Sequence, residues 1–283
     1  KDVSIKDEKD VSIKDEKDKH MIINDEKDKY IVVKTYFVDG TRHGKIVWFI
    51  DNILKYKYYF IDNCKNGLFE AYTKNSNIDY KLNFFNDKLN GTSTYYYKNG
   101  RIHCKVNYLN DVKNGPYIAY DKNGGVLCKY NYLNDKQNGK YEVYYDNGNI
   151  LYKTTYKNGV INGKYEVYYD NGNIIYKTTY LNGKKNGECC EYFENGVLES
   201  KQHYKNGVLN GEILCYCLNK DGKNSYLSHR FNTVDGKFNG PFISYFPDGK
   251  RSQECMVIDG KIHGQWITYS KKTSKITKIC NYD

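Results

Sequence analysis

The sequence predicts an all-β fold, an elongated array of about ten antiparallel β-hairpins of 24 residues each. Three observations lead there. An Asn-Gly or His-Gly pair returns ten times, with its glycine at Gly44, Gly67, Gly91, Gly115, Gly139, Gly163, Gly187, Gly211, Gly240 and Gly264. An aromatic residue follows each of these glycines by five positions, from Phe49 and Tyr72 to Tyr245 and Tyr269. The chain also holds 32 Tyr and only 3 Pro, a balance that suits pleated, half-buried strands. A fixed period of about 20–50 residues marks a repeat architecture, in which each unit buries its apolar side against its neighbours.

Residues 1–30 form a charged, low-complexity segment. Asp2 to Lys9 reads DVSIKDEK and repeats unchanged from Asp10 to Lys17. So little apolar surface predicts disorder or a weakly formed extended arm. The hairpin array occupies residues 31–283. The repeat Gly139 to Asn162 shows its elements in order. Residues 140–145 make one strand, Asn147-Gly148 a two-residue type I′ turn, and residues 150–156 the return strand. A second turn, from Asn158 to Gly163, opens the next repeat, and Gly91, Gly115, Gly139, Gly163 and Gly187 are read as its structural turn glycines. The repeat starting at Gly211 carries five extra residues, read as a longer loop near 218–228. Ile276 to Tyr282 reads as a closing strand.

Register follows from the charges. The turn places Glu142 opposite Lys153, Glu166 opposite Lys177 and Glu70 opposite Lys81. Each cross-strand pair is worth about 0.2–1 kcal/mol, and a one-residue slip destroys all three. The same register sorts two faces. Tyr141, Val143 and Tyr145 share the predicted core face with Ile150, Tyr152, Thr154 and Tyr156. The second face holds Glu142, Lys153 and Tyr144, the last beside Leu151. Its recurring Tyr96, Tyr120, Tyr144, Tyr168 and Tyr192 form a column that either packs along the sheet or supplies aromatic anchors for a partner. Lys129, Lys153 and Lys177 flank it and would steer approach.

The net charge is +10. Residues 1–30 carry −2 of it, which leaves +12 on the array and favours phosphate-bearing partners such as anionic lipid or nucleic acid. Nine cysteines follow no framework, as in a reduced, intracellular protein. No apolar run approaches the length of a transmembrane segment. No leader is visible, although the chain opens on Lys1 rather than methionine.

The core pattern, x-N-G-x-x-N-G-x-Y-x-x-Y-Y-x-N-G, resembles the MORN repeat variant of bacterial and large-DNA-virus proteins over about residues 36–283. Automatic labelling often calls that group antitoxin components. The AT-rich codon bias implied by Asn, Lys, Ile and Tyr looks like that of giant viruses. The better known MORN pattern has a Gly-x-Trp step, whereas Trp48 and Trp266 are the only tryptophans in this chain. The resemblance implies a hairpin scaffold with no chemistry to carry over.

Residues able to carry catalysis do not converge. His43 and His263 fill the Asn slot of the repeat. Cys215-x-Cys217 lies near His203 and His229, but on a strand that spacing reads as buried thiol rather than zinc site. Cys104 and Cys128 occupy equivalent places about 10 Å apart, beyond disulfide reach. Glycine-rich stretches lack a P-loop lysine. The expectation is therefore a non-enzymatic scaffold with no cofactor and no metal, binding an unknown protein partner. The alternative is peripheral attachment to an anionic lipid surface; a nucleic acid partner is not expected. An enzyme hidden in the Gly211 insertion is the third class. The expected location is intracellular and cytoplasmic, or within the host cell for a viral protein.

Overall fold

Tyr, Val, Ile and Thr alternate with Lys, Glu and Asn between turn residues, which gives each segment two unlike faces. In the computed structural model these segments are strands. The structure describes residues 18–25, 29–38, 41–50 and 52–282. Among them are 26 strands and no helix, the all-β hairpin architecture that the sequence predicts. The strands group into two units, divided between Gln137 and Asn138, where the sequence reading treats residues 31–283 as one array. Within each unit, strands pair antiparallel with the strands before and after them. Asp18–Asp25 pairs with Lys29–Val38, so strand structure begins inside the charged 1–30 segment. Residues 1–17 of that segment lie outside the described residues.

The three charge pairs fall where the sequence puts them, at Glu142↔Lys153, Glu166↔Lys177 and Glu70↔Lys81. The route to that register differs from the expected one. The loop after Tyr145 has three residues, Asp146, Asn147 and Gly148. The Gly148 amide donates to the Tyr145 carbonyl at 2.9 Å and the Tyr145 amide to the Asn149 carbonyl at 2.8 Å. Only Gly148 has positive φ, 86°, which is a type I turn closed by a G1 bulge. One extra loop residue shifts the partners by one, so Tyr144 faces Ile150, not Leu151, and Ile150 joins the tyrosine-bearing face instead of the predicted core face. A bulge at Leu151 then shifts them back before Val143↔Tyr152. Two displacements of opposite sign leave the charge pairs intact.

Type I′ turns do occur, at the other end of each hairpin. Asn158 and Gly159, at φ 52° and 84°, join Lys157 to its partner Val160. The repeat glycine is not part of that loop. Gly163 sits inside the strand Val160–Tyr168 at φ 123°. Asn162, Gly163 and Lys164 together oppose the single residue Thr155, and the Thr155 hydroxyl donates to the Asn162 carbonyl at 2.5 Å. Gly91, Gly115, Gly139 and Gly187 also have positive φ at strand positions. Bulge glycines are a better description of them than turn glycines.

The five extra residues after Gly211 mostly lengthen the hairpin. They add the pairs Cys217↔Tyr226 and Leu218↔Ser225 and enlarge the loop by one residue, while the bulge survives at Ser228.

The strand contacts in each unit run between chain neighbours, and within a unit no second layer of described residues covers either face. The predicted core face is nonetheless the more buried one. Apart from Cys190 and Ser228, every fully buried described residue lies on it, and most are small: Ala71, Ser93, Cys104, Ala119, Thr154, Cys189. Larger rings lean over them in ladders. In one unit Trp48, Tyr56, Phe69, Tyr80 and Tyr95 follow one another at centroid distances of 5.7–6.1 Å. In the other, Tyr141, Tyr152, Tyr165 and Tyr176 do so at 5.8–6.1 Å. Such pairs add about 0.5–1.5 kcal/mol each beyond area burial.

The bulge carries a testable consequence. Replacing Gly163 by Val demands φ 123° of a β-branched residue and drives its Cβ into the Thr155 hydroxyl. The variant should lose more than about 1 kcal/mol by chemical denaturation. An unchanged midpoint and slope would remove the bulge assignment.

Candidate functional site

Residues two apart on a strand share a face, so each column tyrosine lies beside the residue two positions before it. The Tyr144 hydroxyl donates to Glu142 Oε2 at 2.7 Å, and Tyr168 does the same to Glu166 at 2.7 Å. Lys153 lies between these two strands as Cα partner of both Glu142 and Glu166. Its ammonium chooses the second, with Nζ 2.9 Å from Glu166 Oε2 and 5.0 Å from the Tyr168 ring centroid. Lys177 sits 5.1 Å over Tyr192. Here Cys190 fills the glutamate slot and lies opposite Lys177. In the other unit Lys57 sits 5.2 Å over Tyr72, whose hydroxyl donates to Glu70 at 2.9 Å. Glu70 also pairs with Lys81 at 3.0 Å.

The five column tyrosines each end an outgoing strand and are half-buried. Tyr96 and Tyr120 belong to one unit; Tyr144, Tyr168 and Tyr192 belong to the other. Lys153 and Lys177 lie over rings of this column rather than standing clear of the sheet. An open depression of about 450 Å³ lies on this face, lined by Tyr144, Gly148, Asn149, Ile150, Lys153, Tyr168 and Gly172. Two rings border it, and Lys153, Ile150 and the loop residues Gly148, Asn149 and Gly172 complete its lining.

Electrostatics fix the protonation states. The Tyr168 hydroxyl and the Glu166 carboxylate hold the Lys153 ammonium more firmly protonated than usual. Burial alone would raise the Glu166 carboxyl, but the bonds from Lys153 and Tyr168 outweigh it and leave the group below the ordinary range. Burial, helped by the bond to Glu142, pushes Tyr144 up to about 12. Around Lys153 the face is thus a closed ion pair beside neutral phenols.

Nucleophilic chemistry finds no support in the thiols. Burial pushes Cys104, Cys128, Cys189 and Cys215 up, and Cys190 up to about 11, away from reactive thiolate. Cys215 is half-buried and Cys217 exposed. No group of three or more metal-binding side chains occurs among the described residues. No helix among them is long and apolar enough to cross a membrane.

One set of structural residues escapes the column reading. The second tyrosine of each Tyr-Tyr doublet reaches across to the next repeat: Tyr97 to the Tyr120 carbonyl at 2.7 Å, Tyr145 to that of Tyr168 at 2.7 Å, and Tyr169 to that of Tyr192 at 3.1 Å. The doublet itself was the available signal. Reading Tyr145 as a core residue hid it.

Four stretches match the MORN repeat variant. They are residues 89–110, 137–158, 161–182 and 185–206, and each holds an outgoing strand and its return. The match 161–182, for example, begins in Val160–Tyr168, includes Ile174–Leu181 and ends on the first residue of the next I′ turn. MORN repeats generally serve as modules for contact with proteins or membranes. A comparison with curated proteins gave no match.

The lowered Glu166 carboxyl sets a sign for acid sensitivity. Its contribution to stability is full above the ordinary glutamate value of about 4.3 and is lost as pH falls through the lower folded value. Glu166→Gln should therefore flatten the stability profile in that acidic window, measured by urea unfolding across pH. Identical profiles for the variant and the parent would contradict the paired geometry.

Proposed function

We propose that this chain is a non-enzymatic repeat scaffold that binds a protein partner through the tyrosine-bearing face of its sheet. The observation that carries this reading is the depression between Tyr144 and Tyr168 on a face that no second layer of its own unit covers. Rings that are packed at one edge and open at another make low-entropy anchors. The similarity of four hairpins to MORN repeats, and the failure of thiols, histidines and carboxylates to assemble a reacting centre, support it. The free cysteines fit an intracellular setting.

Attachment to an anionic membrane draws on the positive charge of residues 31–283. On this face, however, Lys81 and Lys153 are neutralised by Glu70 and Glu166, which favours the protein partner.

The test is affinity capture from cells with quantitative mass spectrometry, using the parent chain and a Tyr144→Ser, Tyr168→Ser double variant. Circular dichroism confirms that both are folded. Partner recovery should fall at least tenfold in the double variant. Full recovery by a folded double variant sinks the tyrosine face as the binding site. Sedimentation with anionic vesicles over a salt series that captures the chain in place of any protein overturns the reading in favour of lipid.

A further inference from the structure

The loops of three or four residues, at the margin opposite the I′ turns, each hold one residue in left-handed backbone. In seven of them that residue is glycine, from Gly100 and Gly124 to Gly222 and Gly249, at φ 67–96°. Each of these glycine amides donates to the carbonyl three residues earlier, as Gly172 does to Tyr169 at 3.0 Å. Two loops use serine instead, Ser76 at φ 62° and Ser274 at φ 56°. A Cβ in that region crowds the backbone, so glycine relaxes the slot and serine strains it. Strained residues of this kind cluster at functional positions.

The two serines differ in their surroundings. Ser76 shares its loop with one lysine, Lys74, whereas Ser274 follows Lys271 and Lys272 and precedes Lys275. Those three lysines are exposed, and no ion pair among the described residues holds them. The other hydroxyls of the loop are occupied. Ser270 Oγ accepts from the Thr273 amide and Thr273 Oγ1 from the Lys275 amide, both at 3.4 Å. The Ser274 side chain is exposed, and its hydroxyl enters no hydrogen bond among the described residues. The loop can also open alone. Earlier loops are tied sideways, as Asn147 is to the Asp170 carbonyl and Asn195 to that of Gly222. Residues 270–275 are held by bonds of their own: the Ser270 amide to the Lys275 carbonyl and the Ser274 amide to the Ser270 carbonyl, both at 2.8 Å. No side-chain bond from the preceding loop reaches them among the described residues.

We infer that Ser274 is a phosphorylation site for a basophilic protein kinase. Such a kinase lines its substrate groove with carboxylates, and lysines three and two residues before the acceptor meet them. An exposed tip that peels away without disturbing its neighbours supplies the extended backbone that the groove requires. In the transfer, Ser274 Oγ attacks the γ-phosphorus of ATP and the bond from that phosphorus to the bridging oxygen breaks. ADP leaves, and the hydroxyl proton passes to the catalytic aspartate of the kinase. The product sets a phosphate of about −2 charge among three lysines. Charge-assisted bonds then replace a bare cationic tip. This site lies apart from the tyrosine face and does not depend on it.

The test is a kinase assay on the folded full chain, with magnesium ATP and the catalytic subunit of cyclic-AMP-dependent protein kinase, read by peptide mass mapping. Ser274 should take one phosphate. In Ser274→Gly, which relaxes the loop, the peptide holding residue 274 should carry at least tenfold less, and the denaturant midpoint should be no lower than the parent's. A Lys271→Gln, Lys272→Gln variant keeps the acceptor and should lower kcat/KM for Ser274 at least tenfold. Ser76, with its single lysine, should be labelled at least tenfold more slowly. The inference is overturned by no incorporation at Ser274, by labelling of Ser274 only after urea unfolding, or by equal rates for the lysine variant and the parent. A lowered midpoint in Ser274→Gly overturns it too, because the serine would then serve the fold rather than modification.

Discussion

Burial in each unit is obtained sideways. With no layer of described residues above either face, a side chain escapes water only by lying against the strands to its left and right. That constraint explains why the fully buried residues are mostly Ala, Ser, Thr and Cys. Short side chains sit in the shadow of tall neighbours, and the tall neighbours keep one side wet. Tyrosine fits that position because its ring packs while its hydroxyl stays solvated or bonded. A phenylalanine array of the same shape would present a far greasier surface.

Sideways burial also makes register the main carrier of specificity. Two devices hold it. Along one edge, doublet tyrosines bond to the carbonyl of the next repeat. Along the other, turns are tied to their neighbours: Asn158 and Asn182 through the side chains of Asn138 and Asn162, and Leu89 and Lys113 through Asp111 and Asp135. Between the edges, Lys153 and Glu166 tie one hairpin to the next rather than one strand to its own return. The pairing that the sequence suggested, Glu142 with Lys153, is correct as a position. The ion pair itself forms between repeats.

The fold class, the period, the charge register and the two faces apart from Ile150 were legible in the residues, because side-chain alternation and opposite charges depend only on strand geometry. The turns were legible less well. Asn-Gly satisfies both a type I′ turn and the end of a type I turn with a G1 bulge, and the choice rests on a bulge at Leu151 that no residue type announces. The role of Gly163 was concealed for the same reason, since a glycine required by a bulge and one required by a loop look alike in sequence. Of the candidate surface, the tyrosine column could be listed from spacing alone. Its lysine caps and glutamate acceptors needed the neighbouring strand.

The hairpin starting at Gly211 shows what the two edges permit. Its five additional residues lie beyond the bulge, and the loop-side contact follows them outward: Asn195 donates to the Gly222 carbonyl, 27 residues on, where Asn147 donates to that of Asp170, 23 residues on. Length is added outward at the loop end of this hairpin, as a finger grows from a palm. The I′ edge has no such freedom. A residue inserted there would break the bonds from each turn to the one beside it. Variation in this protein is thus confined by its hydrogen bonds to one margin of the sheet, and the opposite margin is held as a ruler with fixed graduations.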